Sequence, residues 1–286
     1  MSKIKVAELF YSIQGEGRFM GVPSVFLRTF GCNFKCAGFG MPRGELSAEA
    51  EDIVVQHERK PYTKYEELPL VSTGCDSYAS WHPSFKDLSP VLTSDAIVER
   101  IMEILPHGKW KEEHLVITGG EPLLGWQKQY PDLLNHPRMR KLKEITFETN
   151  GTQPLTDEFE DYLLQWQMPG VNFTREITFS VSAKLPASGE SWHDAIKPEV
   201  VCQYENIGHT YLKFVVATEE DVKDALKATE QYRNAGFKGS VYLMPVGGVE
   251  SVYSLNNRAV AIHAMKHGLR YSDRLQVPLF KNEWGT

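Results

Sequence analysis

Apolar, β-prone runs with little polar alternation recur along this chain, and they limit its fold more than any other feature. LVIT at Leu115–Thr118 and LKFVV at Leu212–Val216 have the pattern of strands covered on both faces, as in a parallel sheet. Strands are expected at Lys5–Tyr11, Ser24–Phe30, His114–Thr118, Glu144–Thr149, Ile177–Ser182, Tyr211–Val216, Ser240–Pro245 and Leu275–Phe280. Helix-period segments lie between them. Ser94 can cap a helix reaching about Leu105, with Ile97, Ile101, Ile104 and Leu105 on one face. Thr218 and Asp221 form a capping-box pattern for a helix to Asn234, with Gly236 as its stop. A further helix is expected from about Leu255 to Lys266, ended by Gly268. Strand–helix alternation of this kind predicts βαβ units, and so an α/β fold built as a whole or partial (β/α) barrel.

At 286 residues, one large domain or two small ones would fit, and residues 1–286 are read as one. Apolar residues make up 42% and charged residues 24%, values that exclude wholesale disorder and coiled coil. No apolar run approaches the ~18 residues of a membrane span, and the N-terminus MSKIKVAELFYS lacks a secretory pattern. A cytoplasmic location is therefore expected. A net charge of -6 argues against a broad electrostatic grip on nucleic acid. Residues 37–74 interrupt the strand–helix rhythm with Gly, Pro and many charges. They read as an insertion with one short helix around Ser47–His57, of the kind that forms a functional lid or a mobile excursion.

Four cysteines are too few for a disulfide scaffold, so free or ligated thiols are expected. Cys202, in VVCQYE, reads as a small buried hydrophobe. Cys32 and Cys36, in GCNFKC, directly follow an expected strand, at the strand end where chemistry collects in parallel sheets. Two thiolates so spaced can hold a metal centre, and a third would leave an iron–sulfur cluster with one open iron. A C-x3-C-x2-C motif would need Cys at position 39, where Phe39 stands. Cys75, followed by Asp76, Ser77, Tyr78 and Trp81, reads as the third ligand, displaced by the insertion. Loop entropy permits this, since closure cost grows only logarithmically with length. Structural zinc or inert thiols remain open for the pair Cys32 and Cys36 alone.

Further polar or glycine-rich loops end later strands: ITGGEP (Ile117–Pro122), FETNGT (Phe147–Thr152), SVSAK (Ser180–Lys184) and YLMPVGG (Tyr242–Gly248). Together they suit one elongated ligand lying across a barrel mouth. Near the N-terminus, YSIQGEG presents an amide, a carboxylate and two flexible backbone positions. Arg28 lies four residues before Cys32, and bidentate binding of a substrate carboxylate would explain an inward guanidinium there.

GCNxxC, then CDS with Tyr78 and Trp81, TGGEP and ETNG together resemble the radical S-adenosylmethionine (SAM) enzymes. The leading YSIQGEG and VFLR…GCN narrow the resemblance to the 7-carboxy-7-deazaguanine synthase family. It is strongest over Glu8–Cys36, Cys75–Trp81 and Ile117–Thr152. It implies a partial (β/α) barrel of the radical SAM type, with the insertion in the cluster-binding loop. It implies a lyase that turns 6-carboxy-5,6,7,8-tetrahydropterin into 7-carboxy-7-deazaguanine with loss of ammonia, for queuosine and related 7-deazapurines. On matching positions, Cys32, Cys36 and Cys75 would ligate a [4Fe–4S] cluster and Ser77 would reach Mg²⁺. Ile13, Gln14, Gly15, Arg28 and Thr118 would bind substrate. Gly120, Ser182, Ala183, Lys184, Met244, Pro245, Val246 and Gly247 would bind SAM, and Glu148 is added to that set. The resemblance also implies an electron donor such as flavodoxin or ferredoxin and a homodimer, with no nucleic-acid or membrane partner. S-A-K stands where the family has S-P-K, and Pro278 stands where many members have a histidine associated with substrate. The alternatives are a glycyl-radical-activating enzyme, which lacks QGEG and CDS, and a non-catalytic zinc-binding protein.

Overall fold

The computed structural model describes residues 2–168 and 174–286. Among the described residues nine strands are formed: β1 (Lys3–Ile13), β2 (Pro23–Thr29), β3 (Val91–Thr93), β4 (His114–Gly119), β5 (Glu144–Thr149), β6 (Glu176–Val181), β7 (His209–Val216), β8 (Val241–Pro245) and β9 (Arg270–Tyr271). They make one sheet in the order β3-β1-β2-β4-β5-β6-β7-β8-β9. β1 runs antiparallel to both β2 and β3, and every pair from β2 to β9 is parallel. Among the described residues the edge strands β3 and β9 do not pair, so the barrel is open.

Helices fill the connections. The chain adds α1 (Glu49–Arg59), α2 (Ser94–Ile104), α3 (Tyr130–Leu134), α4 (Asp157–Trp166), α5 (Trp192–Ala195), α6 (Pro198–Ile207), α7 (Glu219–Asn234), α8 (Glu250–Lys266) and α9 (Gln276–Phe280). None of these is long and apolar enough to cross a membrane. The strands divide their side chains by parity. Leu27, Leu115, Ile117, Ile145, Phe147, Ile177, Phe179, Leu212, Phe214 and Leu243 join the large apolar core shared with the helices. The alternate positions, among them Arg28, Thr118, Glu148, Ser180, Lys213 and Met244, line an internal cavity. In register, Arg28 stands beside Thr118 and Glu148 beside Ser180. The second buried face is thus polar toward the strand ends.

The capping box of Thr218 and Asp221 and the helix end at Asn234 are as the sequence predicts. Four expectations need correction. The segment expected as a strand at Leu275–Phe280 is the short helix α9. Pro278 lies in its first turn, where a missing N–H costs nothing, whereas in a strand it would interrupt the ladder. Thr93, not Ser94, caps α2, its side chain accepting from the Ala96 N–H. α8 begins at Glu250, a turn earlier than expected. The insertion is packed rather than an excursion: Ile53, Val54, Tyr65, Leu68 and Val71 form a second small core with Ala7, Tyr78 and Phe85, and Phe39, Val71, Ser72 and Gly74 line the cavity. β3 and β9, with three and two residues, are too short to leave a periodic signal.

Candidate active site

Cys32, Cys36 and Cys75 all face one cavity at the C-terminal ends of the parallel strands. Cys32 and Cys36 sit in the loop after β2, and Cys75 follows the insertion, whose two ends close on each other. The Gly74 N–H donates to the Phe39 carbonyl at 2.7 Å, and the Ser47 and Thr73 hydroxyls meet at 2.7 Å. The 38 residues between Cys36 and Cys75 therefore leave and return through one narrow neck. Donors point at two of the sulfurs: the Phe34 N–H at Cys32 Sγ (3.4 Å) and the Trp81 indole N–H at Cys75 Sγ (3.4 Å). Burial pushes the Cys32 thiol up to about 12, raises Cys36 well above its usual range, and raises Cys75. Lys184 opposes the shift at each of the three, which places one ammonium within electrostatic reach of all the sulfurs. Its Nζ donates to Ser182 Oγ at 3.0 Å.

Among the described residues, no three His, Cys, Asp or Glu side chains close around a point as the cage of a single metal ion does. The donor set is nevertheless all sulfur and lines one cavity, with Cys36 buried and Cys32 and Cys75 half-buried, and the sulfurs of Cys32 and Cys75 receive N–H groups. These are properties of a site for a soft iron–sulfur group, whose ligands attach at separate corners. The residues present fit such a group.

The TGGEP loop is pressed against the cysteine loop. A Cβ on Gly120 would stand 2.4 Å from the Gly31 carbonyl oxygen and 2.7 Å from Cys32 Cβ, so only glycine fits. Its neighbour Glu121 is fully buried and accepts from the Leu123 N–H (3.0 Å), Thr149 Oγ1 (2.8 Å) and the Asn150 N–H (2.6 Å). Burial still pushes its carboxyl up to about 7 against those donors. Asn150 of ETNG donates to Asn33 Oδ1 of GCN at 2.9 Å, and Asn33 donates on to Thr152 Oγ1 at 3.0 Å. Three motifs scattered in sequence are thus one bonded unit.

On the other side of the cavity the polar groups are charged. Arg28 Nε donates to Glu8 Oε2 at 2.7 Å, and one terminal nitrogen donates to Ser77 Oγ at 3.1 Å. Ser77 is also 3.3 Å from Asp76 Oδ1. Gln14 Nε2 donates to Glu148 Oε1 at 3.1 Å. Glu16 receives Lys213 Nζ, Arg274 Nε (3.2 Å) and Gln276 Nε2 (2.9 Å). Arg274 also donates to Asp76 Oδ2 (2.5 Å) and to the Gly247 carbonyl.

Every site residue named from the sequence lines this cavity except Ala183 and Pro245, whose neighbours Ser182, Lys184, Met244 and Val246 do. Cys202 is half-buried and remote from the other thiols. Pro278 is exposed and takes no part in the lining. Sequence reasoning missed Glu8, Asp76, Lys213, Arg274 and Gln276, and did not commit to Glu16. Lys213 carried a signal, being the one charge inside LKFVV; Arg274 sits in a loop with no pattern around it.

No protein-family model matches the chain. It is 29% identical over 290 residues to the 7-carboxy-7-deazaguanine synthase of Halobacterium salinarum, covering 98% of this chain and 91% of that protein. It is 26% identical over 300 residues to the enzyme of that name from Rhodopirellula baltica, covering 100% and 90%. The Bacillus cereus enzyme of the same name is 27% identical over 238 residues, covering 83% and 76%. The crystal structure of QueE from Escherichia coli has the same fold, with a TM-score of 0.54 and 19% identity over 94% of this chain and 93% of that one.

Proposed function

We propose that the chain is a member of the 7-carboxy-7-deazaguanine synthase family of radical SAM enzymes and converts 6-carboxy-5,6,7,8-tetrahydropterin to 7-carboxy-7-deazaguanine with loss of ammonia. The observation that carries the proposal is the meeting of Cys32, Cys36 and Cys75 on one cavity wall beside Lys184, despite the insertion between them. When bound, a [4Fe–4S] cluster held by these thiols and the SAM on its open iron would supply the radical that starts the rearrangement.

The protein's own groups supply binding, aim and exclusion of water. Lys184 favours the ionised form of the thiols and stands ready for an anionic group of SAM. Gly120, Glu148, Ser182–Lys184 and Met244–Gly247 would hold SAM, through backbone groups and the Glu148 carboxylate. Ile13, Gln14, Gly15, Arg28 and Thr118 would hold the pterin. Glu8 takes the Nε edge of Arg28 and keeps it charged, which leaves the terminal nitrogen that does not bond Ser77 to receive the substrate carboxylate. Ser77 would reach Mg²⁺, with the Asp76 carboxylate beside it. Phe39, Trp81, Met244, Val246 and Trp284 give the cavity its apolar lining. One domain, a cytoplasmic setting, a homodimer and reduction by a flavodoxin or ferredoxin belong to the same proposal.

Anaerobic incubation with SAM, reductant, Mg²⁺ and the carboxy-tetrahydropterin, read by mass spectrometry, tests it. The deazaguanine product is expected, and the Cys75→Ala protein should contain no cluster by iron and sulfide analysis. Product absent while SAM is cleaved would reject the substrate. A full complement of iron in the Cys75→Ala protein would reject the ligand set. Arg28→Ala should raise the substrate KM, by at least about tenfold for one lost charged pair, while reductive SAM cleavage continues.

A further inference from the structure

Cys36 has φ 51°, the left-handed region that a cysteine rarely adopts. Besides glycines, only Lys281 and Asn282 share that sign of φ among the described residues, and both lie outside the cysteine loop. Something must hold Cys36 there, and the segment after the SVSAK loop does so. Glu190 Oε1 accepts both the Lys35 N–H (2.9 Å) and the Cys36 N–H (2.7 Å). The Glu190 N–H is itself held by Ser188 Oγ at 3.2 Å, and Ser188 Oγ donates to the Leu185 carbonyl at 2.7 Å. The backbones touch directly: the Gly38 N–H donates to the Ser188 carbonyl at 2.8 Å, and a Cβ on Gly38 would stand 2.6 Å from the Gly189 nitrogen. Ala195 of α5 then packs on Phe34 and Cys36.

A carboxylate that gathers two successive N–H groups is the anion of a backbone nest supplied from within the chain. We propose that Glu190 is a positioning residue that locks Cys36 in its left-handed conformation and so aims its Sγ into the cavity before any cofactor arrives. The proposal rests on Cys36 being a cluster ligand only for its functional consequence; the lock itself belongs to the cofactor-free chain.

The test compares the wild-type chain with Glu190→Ala and Glu190→Gln. Amide hydrogen exchange at Lys35 and Cys36 is read in the chain freed of iron, and iron bound at limiting iron is read after anaerobic reconstitution. In Glu190→Ala, exchange at these two amides should rise about tenfold while amides of β4 to β6 stay unchanged. Iron affinity should fall by about tenfold, as when a group behind a metal ligand is removed. Glu190→Gln, which keeps the accepting oxygen, should restore most of both. Unchanged exchange in Glu190→Ala, or faster exchange with unchanged iron binding, overturns the proposal. So does a Gln variant as impaired as Ala, since acceptance of the two N–H groups by the side-chain oxygen would then not be what holds the loop. If wild-type chain itself binds no iron, the cluster assignment fails, and the exchange arm alone still decides whether Glu190 locks the loop.

Discussion

Burial alone would raise the Glu16 carboxyl, yet Lys213 and Arg274 bring it down to about 2. Its usual value is 4.5, so its contribution to stability is present above that pH and is lost as pH falls from 4.5 toward 2. Lys213→Met leaves Glu16 with Arg274 and Gln276, so the cost should sit at the low end for a broken buried pair, about 3 kcal/mol in urea unfolding. A change within error would mean the pair is already solvated. His114 shows the opposite case. Burial, helped by Arg18, lowers it to about 3, and the neutral ring bridges Ser24 Oγ (3.3 Å) and Thr146 Oγ1 (2.8 Å). The unfolded ring takes a proton below its usual 6.5 and the folded ring does not, so stability drops as pH falls from 6.5 to 3. His114→Gln should flatten that slope by up to ~1.4 kcal/mol per pH unit, and parallel curves for the two proteins would refute it. At this scale the sequence was legible where a residue sat in a motif, as with Cys32, Arg28 or Glu148. It was silent on Arg274, whose partners Asp76 and Glu16 lie 198 and 258 positions away.

The insertion behaves as an element in its own right. Tyr65 is buried in its core and meets the Trp284 ring at 4.9 Å, and the Trp284 indole N–H donates to the Leu68 carbonyl at 2.7 Å. Tyr65→Ala should cost about 3–5 kcal/mol and open residues 37–74 to limited proteolysis before the rest of the chain. Simultaneous cleavage throughout would show that the insertion does not unfold separately. Its single helix was readable from composition, but its packing was not, because Ile53 and Val54 meet partners such as Ala7 and Phe85 from outside the insertion. The parallel strands were readable for a simple reason: one of their faces is uniformly apolar against the helices. α9 was misread because Leu275, Val277 and Leu279 alternate like a strand, and only Val277 among them is buried.

For the whole molecule, the open sheet gathers the loops after β2, β4, β5, β6 and β8 at one mouth, so the cavity wall is assembled from segments spanning most of the chain. A cofactor that binds only this assembled wall draws the fold toward its native state. Cluster reconstitution should raise Tm by roughly 5 °C in anaerobic calorimetry, from a linkage of a few kcal/mol at saturation. An unshifted transition in iron-loaded protein would show that the thiols bind equally well unfolded. The general architecture followed from strand–helix alternation, and the cavity's position followed from parallel strands having one shared end. The charged half of the cavity did not, because pairings between distant loops leave no periodic trace. The neck joining Phe39 to Gly74 makes the distance along the chain from the second sulfur to the third almost irrelevant to the distance through space. A cassette of different length could be spliced in at that junction, by natural history or a protein engineer, provided that it kept Val71 on the cavity wall and the packing of Ile53 and Tyr65 on the body of the fold.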